Sequence, residues 1–283
     1  MDRITLKSYA KINIGLNIIK KREDGYHQIV TLLQQIDLHD EITFEKSGKE
    51  ITITITDSDV PAGPDNLILR AFDLVRERFK IDEGLRVHLK KTIPVGSGLG
   101  GGSSNAAATL VAANIMWKLN LSITELENIA ATIGSDVPFF IRGGTMLATG
   151  RGEILTPVKI EKDWLALVVS PQIHISTKWA YSRSKIALTK DENFTKFKLL
   201  FKRFDPQYLR FNIKNDFEEV VFKRHPLLLT IKEKLYEKGA FYASLSGSGS
   251  SVYGLFNQSD KAEEAVEFFS IEQRMKSFLC RPM

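Results

Sequence analysis

Apolar and polar residues alternate along the first third of the chain. Ile12, Ile14, Leu16 and Ile18 are interleaved with Asn13, Gly15 and Asn17, the two-residue period of a half-buried strand. Glu23-Asp24-Gly25 predicts a turn, and Tyr26 to Ile36 a second strand. Ile42 to Phe44 and Ile51 to Ile55 read as a hairpin joined through Ser47-Gly48-Lys49, with the interleaved threonines on a solvated face. Pro64-Asp65-Asn66 then opens a helix through about Phe79, because Ile68, Phe72, Val75 and Phe79 recur at helical spacing and form one stripe.

Leu85, Val87 and Leu89 alternate as another strand, which runs into a glycine-rich loop and then an alanine-rich helix from about Ser104 to Leu119. Ser122 with Glu125 three residues on is a capping box for a further helix ending at Gly134. Strands follow near 145–149, 153–159 and 164–170, then helices between about 176 and 238, interrupted by Pro226. The end is a strand (Ala240 to Leu245), a loop (Ser246 to Ser251), a strand (Val252 to Phe256) and a helix near 260–269. The pattern predicts an α+β protein with a strand-rich first half and an α+β second half, divided near 155–165.

Composition narrows the classes. With 43% hydrophobic and 26% charged residues among 283, the chain is globular and not disordered. No apolar run approaches the about 18 residues of a membrane span. A net charge of +5 does not single out nucleic acid and suits an anionic ligand equally well. The single cysteine, Cys280, excludes an internal disulfide, and the five histidines lack metal-ligand spacing. Strand-like sequence from Ile4 leaves no room for a leader, so a reducing cytoplasm is the expected compartment.

The strongest local signal is the loop Pro94, Val95, Gly96, Ser97, Gly98, Leu99, Gly100, Gly101, Gly102, Ser103, Ser104. Glycines allow positive φ and close backbone approach, so successive amides can form an anion nest aimed along the dipole of the following helix. Phosphate is the natural guest; a plain helix-entry loop is the alternative. Gly96 and Gly101 have Walker spacing, but Gly102 stands where that motif needs lysine. Gly96, Gly98 and Gly101 also fit the dinucleotide fingerprint G-x-G-x-x-G, which requires a βαβ unit with an acid ending the second strand. Here a second helix follows, and Glu125 falls in its first turn.

Three segments together resemble the GHMP kinases, the superfamily of galactokinase, homoserine kinase and mevalonate kinase. AKINIGLNI (Ala10 to Ile18) is similar to their first motif, the glycine loop to the second, and SLSGSGSSVYGLF (Ser244 to Phe256) to the third, in matching order. The segment Asp24-Gly25-Tyr26-His27, with GSDVPFF (Gly134 to Phe140) and DNLILRA (Asp65 to Ala71), resembles the branch that phosphorylates a cytidine-diphosphate-linked methylerythritol on the non-mevalonate route to isoprenoid precursors. The resemblance implies a two-lobed fold with a strand-rich N-terminal domain (1–160), a smaller α+β C-terminal domain (161–283) and a cleft between them. It implies ATP as phosphate donor, Mg²⁺, and a small cytidyl substrate as partner, with neither nucleic acid nor membrane.

Residue roles follow from the same resemblance. Asp136 would be the catalytic base, although on its own it reads as a helix N-cap before Val-Pro-Phe-Phe. Lys11, taken alone an exposed strand lysine, would sit beside Asp136 and supply the cation that the failed Walker match lacks. Tyr26, His27 and Tyr181 would form the cytidine pocket, with Tyr26 and Tyr181 as opposing faces and His27 reading the base edge, while Asn13 would hydrogen-bond the substrate. Asn66 and Leu67 would line the adenine pocket, although an N-cap and first helical turn explain them equally. Either Ser103 or Ser104 could approach Mg²⁺. For Gly247 and Gly249, ligand contact and turn geometry both remain open.

Overall fold

A computed structural model describes residues 1–56, 63, 65–184, 190–202, 204–273 and 275–283. Pro64, expected at the helix entry, lies outside the described residues. Contacts divide the chain into two compact units. The first comprises Met1–Ala10, Leu38–Val95 and Gly100–Gly143; the second comprises Lys11–Asp37, Gly96–Leu99 and Gly144–Met283. Neither unit is one continuous stretch.

The strands of the first unit are the start of β1 (Arg3–Lys21), the end of β2 (His27–Ser47), β3 (Ile51–Thr56) and β4 (Gly84–Lys90). The expected hairpin of β2 with β3 is not formed. Instead β4 lies between them, antiparallel to β2 (Phe44 opposite Val87) and parallel to β3 (Val87 opposite Ile53). The turn after β2 docks on the entry to β4: Gly84 N donates to Gly48 O at 2.7 Å and Leu85 N to Glu50 O at 3.1 Å. Only glycine fits at 84, where a Cβ would fall 2.1 Å from Glu50 O. β3 is thereby left at the sheet edge, which suits its Ile/Thr alternation.

Helices α1 (Leu67–Phe79), α2 (Gly101–Met116), α3 (Ile123–Ile133) and α4 (Val137–Arg142) complete this unit. The expected stripe holds: Ile68, Phe72 and Val75 are buried, and Phe79 packs at the margin. The capping box of Ser122 and Glu125 forms both of its bonds, and Gly134 ends α3. Glu125 is therefore committed to capping, which removes the ribose-binding acid of the dinucleotide alternative. α2 begins three residues earlier than expected, at Gly101. It is buried on most of its circumference, and Ala106, Ala107, Ala112 and Ala113 join Phe44, Phe72 and Val87 in one core.

In the second unit β5 (Thr145–Thr149) pairs with β2 (Met146 opposite Leu33) and with β6 (Ile154–Pro157), shorter than the strand expected there. β7 (Leu165–Ser170), β8 (Tyr242–Leu245), β9 (Val252–Phe256) and β10 (Lys276–Cys280) form an antiparallel sheet in the order β10-β7-β9-β8. The helices are α5 (Thr177–Arg183), α6 (Lys190–Lys202), α7 (Pro206–Asn212), α8 (Glu218–Arg224), α9 (Pro226–Glu237) and α10 (Ser259–Glu267). Pro226 starts α9 rather than kinking a longer helix, a position where its missing N–H costs nothing. Leu167, Val169, Phe217, Val221, Leu235, Leu245 and Phe256 share this unit's core.

Candidate active site

The glycine loop is divided between the units: Gly96–Leu99 group with the second, Pro94, Val95 and Gly100–Ser104 with the first. In the second unit, Lys11 and Asn13 stand two residues apart on β1, hence on one face. Lys11 is only 3% exposed, so it is not an exposed strand lysine. Its ammonium donates to Asn13 Oδ1 at 2.5 Å and to Gly98 O at 2.7 Å, the pairing that a buried charge requires. Asn13 Nδ2 in turn donates to Thr31 Oγ1 at 3.0 Å, so both ends of its carboxamide are already bonded within the protein.

Three consecutive loop carbonyls are held by donors of the same unit. Ser97 O accepts from Ser251 N at 2.9 Å, and Leu99 O from Lys11 N at 3.0 Å. Between them Gly98 O accepts from Lys11 Nζ and, at 2.9 Å, from Ser246 Oγ. Because each peptide is planar and trans, the N–H groups of Gly98, Leu99 and Gly100 point away from those carbonyls. Glycine is required at 98, with φ 80°, since a Cβ there would lie 2.0 Å from Ser246 O. Gly96 is similarly close to a neighbour, its Cβ position 2.8 Å from His174 Nδ1. The loop is thus clamped from its carbonyl side, with its amides turned the other way.

In the first unit the loop passes into α2 through Gly100. Gly100 offers no side chain to cap this helix start, and its first turn carries no acid, which suits an anion there. Ser104 is buried and its Oγ lies 2.7 Å from Ser8 Oγ, which also donates to Asn105 Oδ1. Ser103 is half-buried. The structure therefore distinguishes the two serines: Ser104 fastens α2 to β1, and Ser103 is the more exposed of the two. Leu67 Cδ1 is 3.6 Å from a Cβ placed on Gly102, and Asn66 Oδ1 caps α1 by accepting from Ile68 N at 2.9 Å. Asp136 occupies the residue before α4 with helical φ and ψ of −85° and −14°, and its side chain makes no capping hydrogen bond. The helix does not consume this carboxylate.

A buried ion pair beneath the same helix start was not anticipated. Lys91 Nζ lies 3.1 and 2.9 Å from the two Asp40 oxygens and also donates to Ile93 O. Asp40 Oδ1 further accepts from Thr92 N and Ile93 N, both at 2.8 Å. Gly101 leaves room for the ammonium, 3.1 Å from its Cβ position. Burial pulls the Lys91 ammonium below its usual range, and Asp40 opposes that shift. No periodicity marks two residues 51 apart as partners. Asp40→Ala leaves the cation buried alone, so a loss of about 3–5 kcal/mol is expected in urea unfolding. A midpoint unchanged from wild type would show that the pair does not hold this strand exit.

Tyr26, His27 and Tyr181 all belong to the second unit. Tyr26 is 54% exposed, with the Arg151 guanidinium 4.7 Å from its ring centroid. Tyr181 is buttressed edge-on by Phe217 and lies face to face with His27, at 4.6 Å between centroids and 13° between planes. The imidazole thus covers one face of the Tyr181 ring. Burial, and then the charge of Lys21, hold His27 below the usual imidazole pKa.

The chain matches two family descriptions, "GHMP kinases N terminal domain" over residues 66–144 and "GHMP kinases C terminal" over 198–273. It is 44% identical over 264 residues to a 4-diphosphocytidyl-2-C-methyl-D-erythritol kinase of Caldanaerobacter subterraneus subsp. tengcongensis, covering 93% of this chain and 91% of that one. A kinase of the same name from Thermoanaerobacter pseudethanolicus is 43% identical over 268 residues, covering 94% and 92%. Among solved structures, a 4-(cytidine 5'-diphospho)-2C-methyl-D-erythritol kinase superposes with a TM-score of 0.82 at 28% identity over 99% of both chains. A homoserine kinase from Cytophaga hutchinsonii shares the fold, with a TM-score of 0.77 at 18% identity over 99% of this chain and 95% of that one. The clamped glycine loop, the buried motif lysine and these full-length matches agree: the chain belongs to the GHMP kinase family and, within it, to the 4-diphosphocytidyl-2-C-methyl-D-erythritol kinases.

Proposed function

We propose that the protein transfers the γ-phosphoryl group of ATP to the tertiary 2-hydroxyl of 4-diphosphocytidyl-2-C-methyl-D-erythritol, on the non-mevalonate route to isoprenoid precursors. The observation that carries this reading is the glycine loop: its carbonyls at Ser97, Gly98 and Leu99 are tied down, its amides turn the other way and α2 starts without a side-chain cap, an arrangement that suits polyphosphate. Identities of 44% and 43% to kinases named for that alcohol support the choice of acceptor.

In the proposed step the hydroxyl oxygen bonds to the γ-phosphorus as the bond to the bridging oxygen breaks, ADP leaves, and the hydroxyl proton passes to Asp136. Lys11 offsets charge on the transferring group, the task a Walker lysine performs elsewhere. Asn13 orients that ammonium and keeps one oxygen lone pair for the substrate. Asn66 and Leu67 serve the adenine side, and Tyr26, His27 and Tyr181 the cytidine side. No group of three acidic, histidine or cysteine side chains among the described residues would hold a metal. Mg²⁺ would arrive on the nucleotide, and Ser103 is the candidate protein ligand that would hold it there. Bound there, Mg²⁺ neutralises charge on the β- and γ-phosphates. No helix among the described residues is long and apolar enough to cross a membrane, and the cytoplasm is the proposed location.

The pH dependence of substrate binding follows from His27. Its depressed pKa keeps the imidazole neutral at pH 7 and further into acid than a free imidazole, whose value is about 6.5. KM for the cytidyl substrate is expected to stay flat from pH 8 through that value and to rise only on its acid side. His27→Gln should abolish the inflection; a KM already rising above the free-imidazole value would remove His27 from the base site. The activity itself is tested by ADP release on a panel of alcohols. Turnover of homoserine or mevalonate without turnover of the cytidyl compound would reject the assignment.

A further inference from the structure

The segment Asn215-Asp216-Phe217-Glu218, just before and into α8, carries no role in the reaction described above, yet it grips the two elements flanking Lys11. Its Asp216 carboxylate accepts from Ile18 N at 2.7 Å and Asn17 Nδ2 at 2.9 Å, both on β1. Leu16 pairs with Asn215 in a parallel bridge, with Leu16 N donating to Lys214 O and Asp216 N to Leu16 O. Glu218 Oε1 accepts from Leu245 N and Ser244 Oγ, both at 3.0 Å, at the start of the third glycine loop. Asn215 makes the central contact. It is 2% exposed, its Nδ2 donates to Leu245 O and Gly247 O, both at 2.8 Å, and its Oδ1 accepts from Phe217 N.

Gly247 is the residue that this contact orients. With φ 57°, its Cβ position lies 3.5 Å from Lys11 Nζ, 3.4 Å from Asn13 Oδ1 and 3.5 Å from Gly98 O. The backbone of Gly247 therefore forms one wall of the pocket that holds the Lys11 ammonium. Holding the Gly247 carbonyl also fixes the plane of the peptide that follows, so the Ser248 N–H is turned away from Asn215. We infer that Asn215 is a positioning residue for phosphoryl transfer: by pinning the Leu245 and Gly247 carbonyls it sets the third glycine loop against Lys11 and keeps the ammonium in register with Gly98. The inference rests on the phosphoryl-transfer reading of the site. It adds a function for the Gly247 loop and for a residue more than 200 positions from Lys11 in sequence.

The test compares Asn215→Asp with wild type on whichever alcohol the wild type phosphorylates, so the identity of that alcohol is decided by wild type alone. The substitution keeps the shape but faces two carbonyl oxygens with a carboxylate, which can donate only when protonated. The expected result is a kcat lower by about 10- to 100-fold, the cost of a small misplacement, with KM for the alcohol within threefold. The deficit should shrink as pH falls, because protonation restores one donor. Amides 244–251 should exchange with deuterium faster than in wild type. Asn215→Ala, neutral and smaller, should show the same kcat loss without the pH rescue. A folded variant with kcat within twofold of wild type, or a loss carried by KM and insensitive to pH, would overturn the inference. Failure of both variants to fold would make Asn215 a folding residue instead.

Discussion

Replacing Asp136 by asparagine is expected to lower kcat by about 10²-fold or more while ATP still binds, the signature of a lost general base. The local structure makes this a clean substitution. Asp136 stands before α4 with helical backbone angles, and its side chain takes no part in capping. Asparagine is also as good a capping residue as aspartate, so a capping role would predict no loss at all. The size and shape are kept, while the negative charge and the ability to take a proton are lost. Single-turnover ADP release, read beside an ATP titration, separates the two outcomes. Near-normal turnover would return Asp136 to the role of an ordinary helix-entry residue.

Lys11→Met should have an effect of similar size, about 10²- to 10³-fold in kcat, as for removal of one preorganised donor facing developing charge. The structural cost is smaller than the burial of Lys11 suggests. Gly98 O retains Ser246 Oγ, and Asn13 Oδ1 loses one donor. Set against that is the release of a charge that was expensive to bury. A net change of about 1–3 kcal/mol in unfolding is expected, so a stable protein with little turnover is the predicted phenotype. Arginine is not a conservative control, because a planar guanidinium does not fit between a carboxamide and a peptide carbonyl as a point-like ammonium does. If Lys11→Met keeps kcat within threefold, its ammonium serves only to hold the loop.

What could be read directly in the residues was local. Alternation marked β1 and β4, a four-residue stripe marked α1, and Ser122 with Glu125 marked the start of α3, because each signal lies within a few residues of what it specifies. The three glycine motifs were equally legible, and the chain's full-length relatives agree with the family they suggested. Pairing was not legible in the same way. Ile42–Phe44 and Ile51–Ile55 look like a hairpin, and nothing within either segment reveals that Gly84–Lys90 lies between them. β10 escaped for a related reason: Lys276–Cys280 has little pattern of its own and is a strand because β7 offers it an edge.

The candidate site divides along the same line. Lys11 and the loop glycines were found through motif chemistry, whereas Asp40, Lys91 and Asn215 were not, since their meaning lies in partners about 30 to 50 positions away. A polar residue in an unremarkable segment gains significance only once its acceptors are known. The aromatic cluster is intermediate: Tyr26, His27 and Tyr181 were singled out by resemblance, but the stack of His27 on Tyr181 is a packing outcome that no motif encodes.

The ends of the second unit have a consequence for how the protein is made. Gln34, Gln35 and Asp37 on β2 are stitched to Arg281 and Met283, through Gln34 Nε2 to Met283 O, Met283 N to Gln35 O, and Arg281 N to Asp37 Oδ1. At the usual elongation speed of about 5–20 residues per second, β2 waits roughly tens of seconds on the ribosome before those partners exist. β4 and β5 emerge earlier and can already pair with β2, but for that interval the Gln34–Asp37 stretch lacks its last partners, so the nascent chain is a natural client for chaperones. Changes that remove or displace Arg281 to Met283 should therefore lower soluble yield more than equivalent changes in an exposed loop.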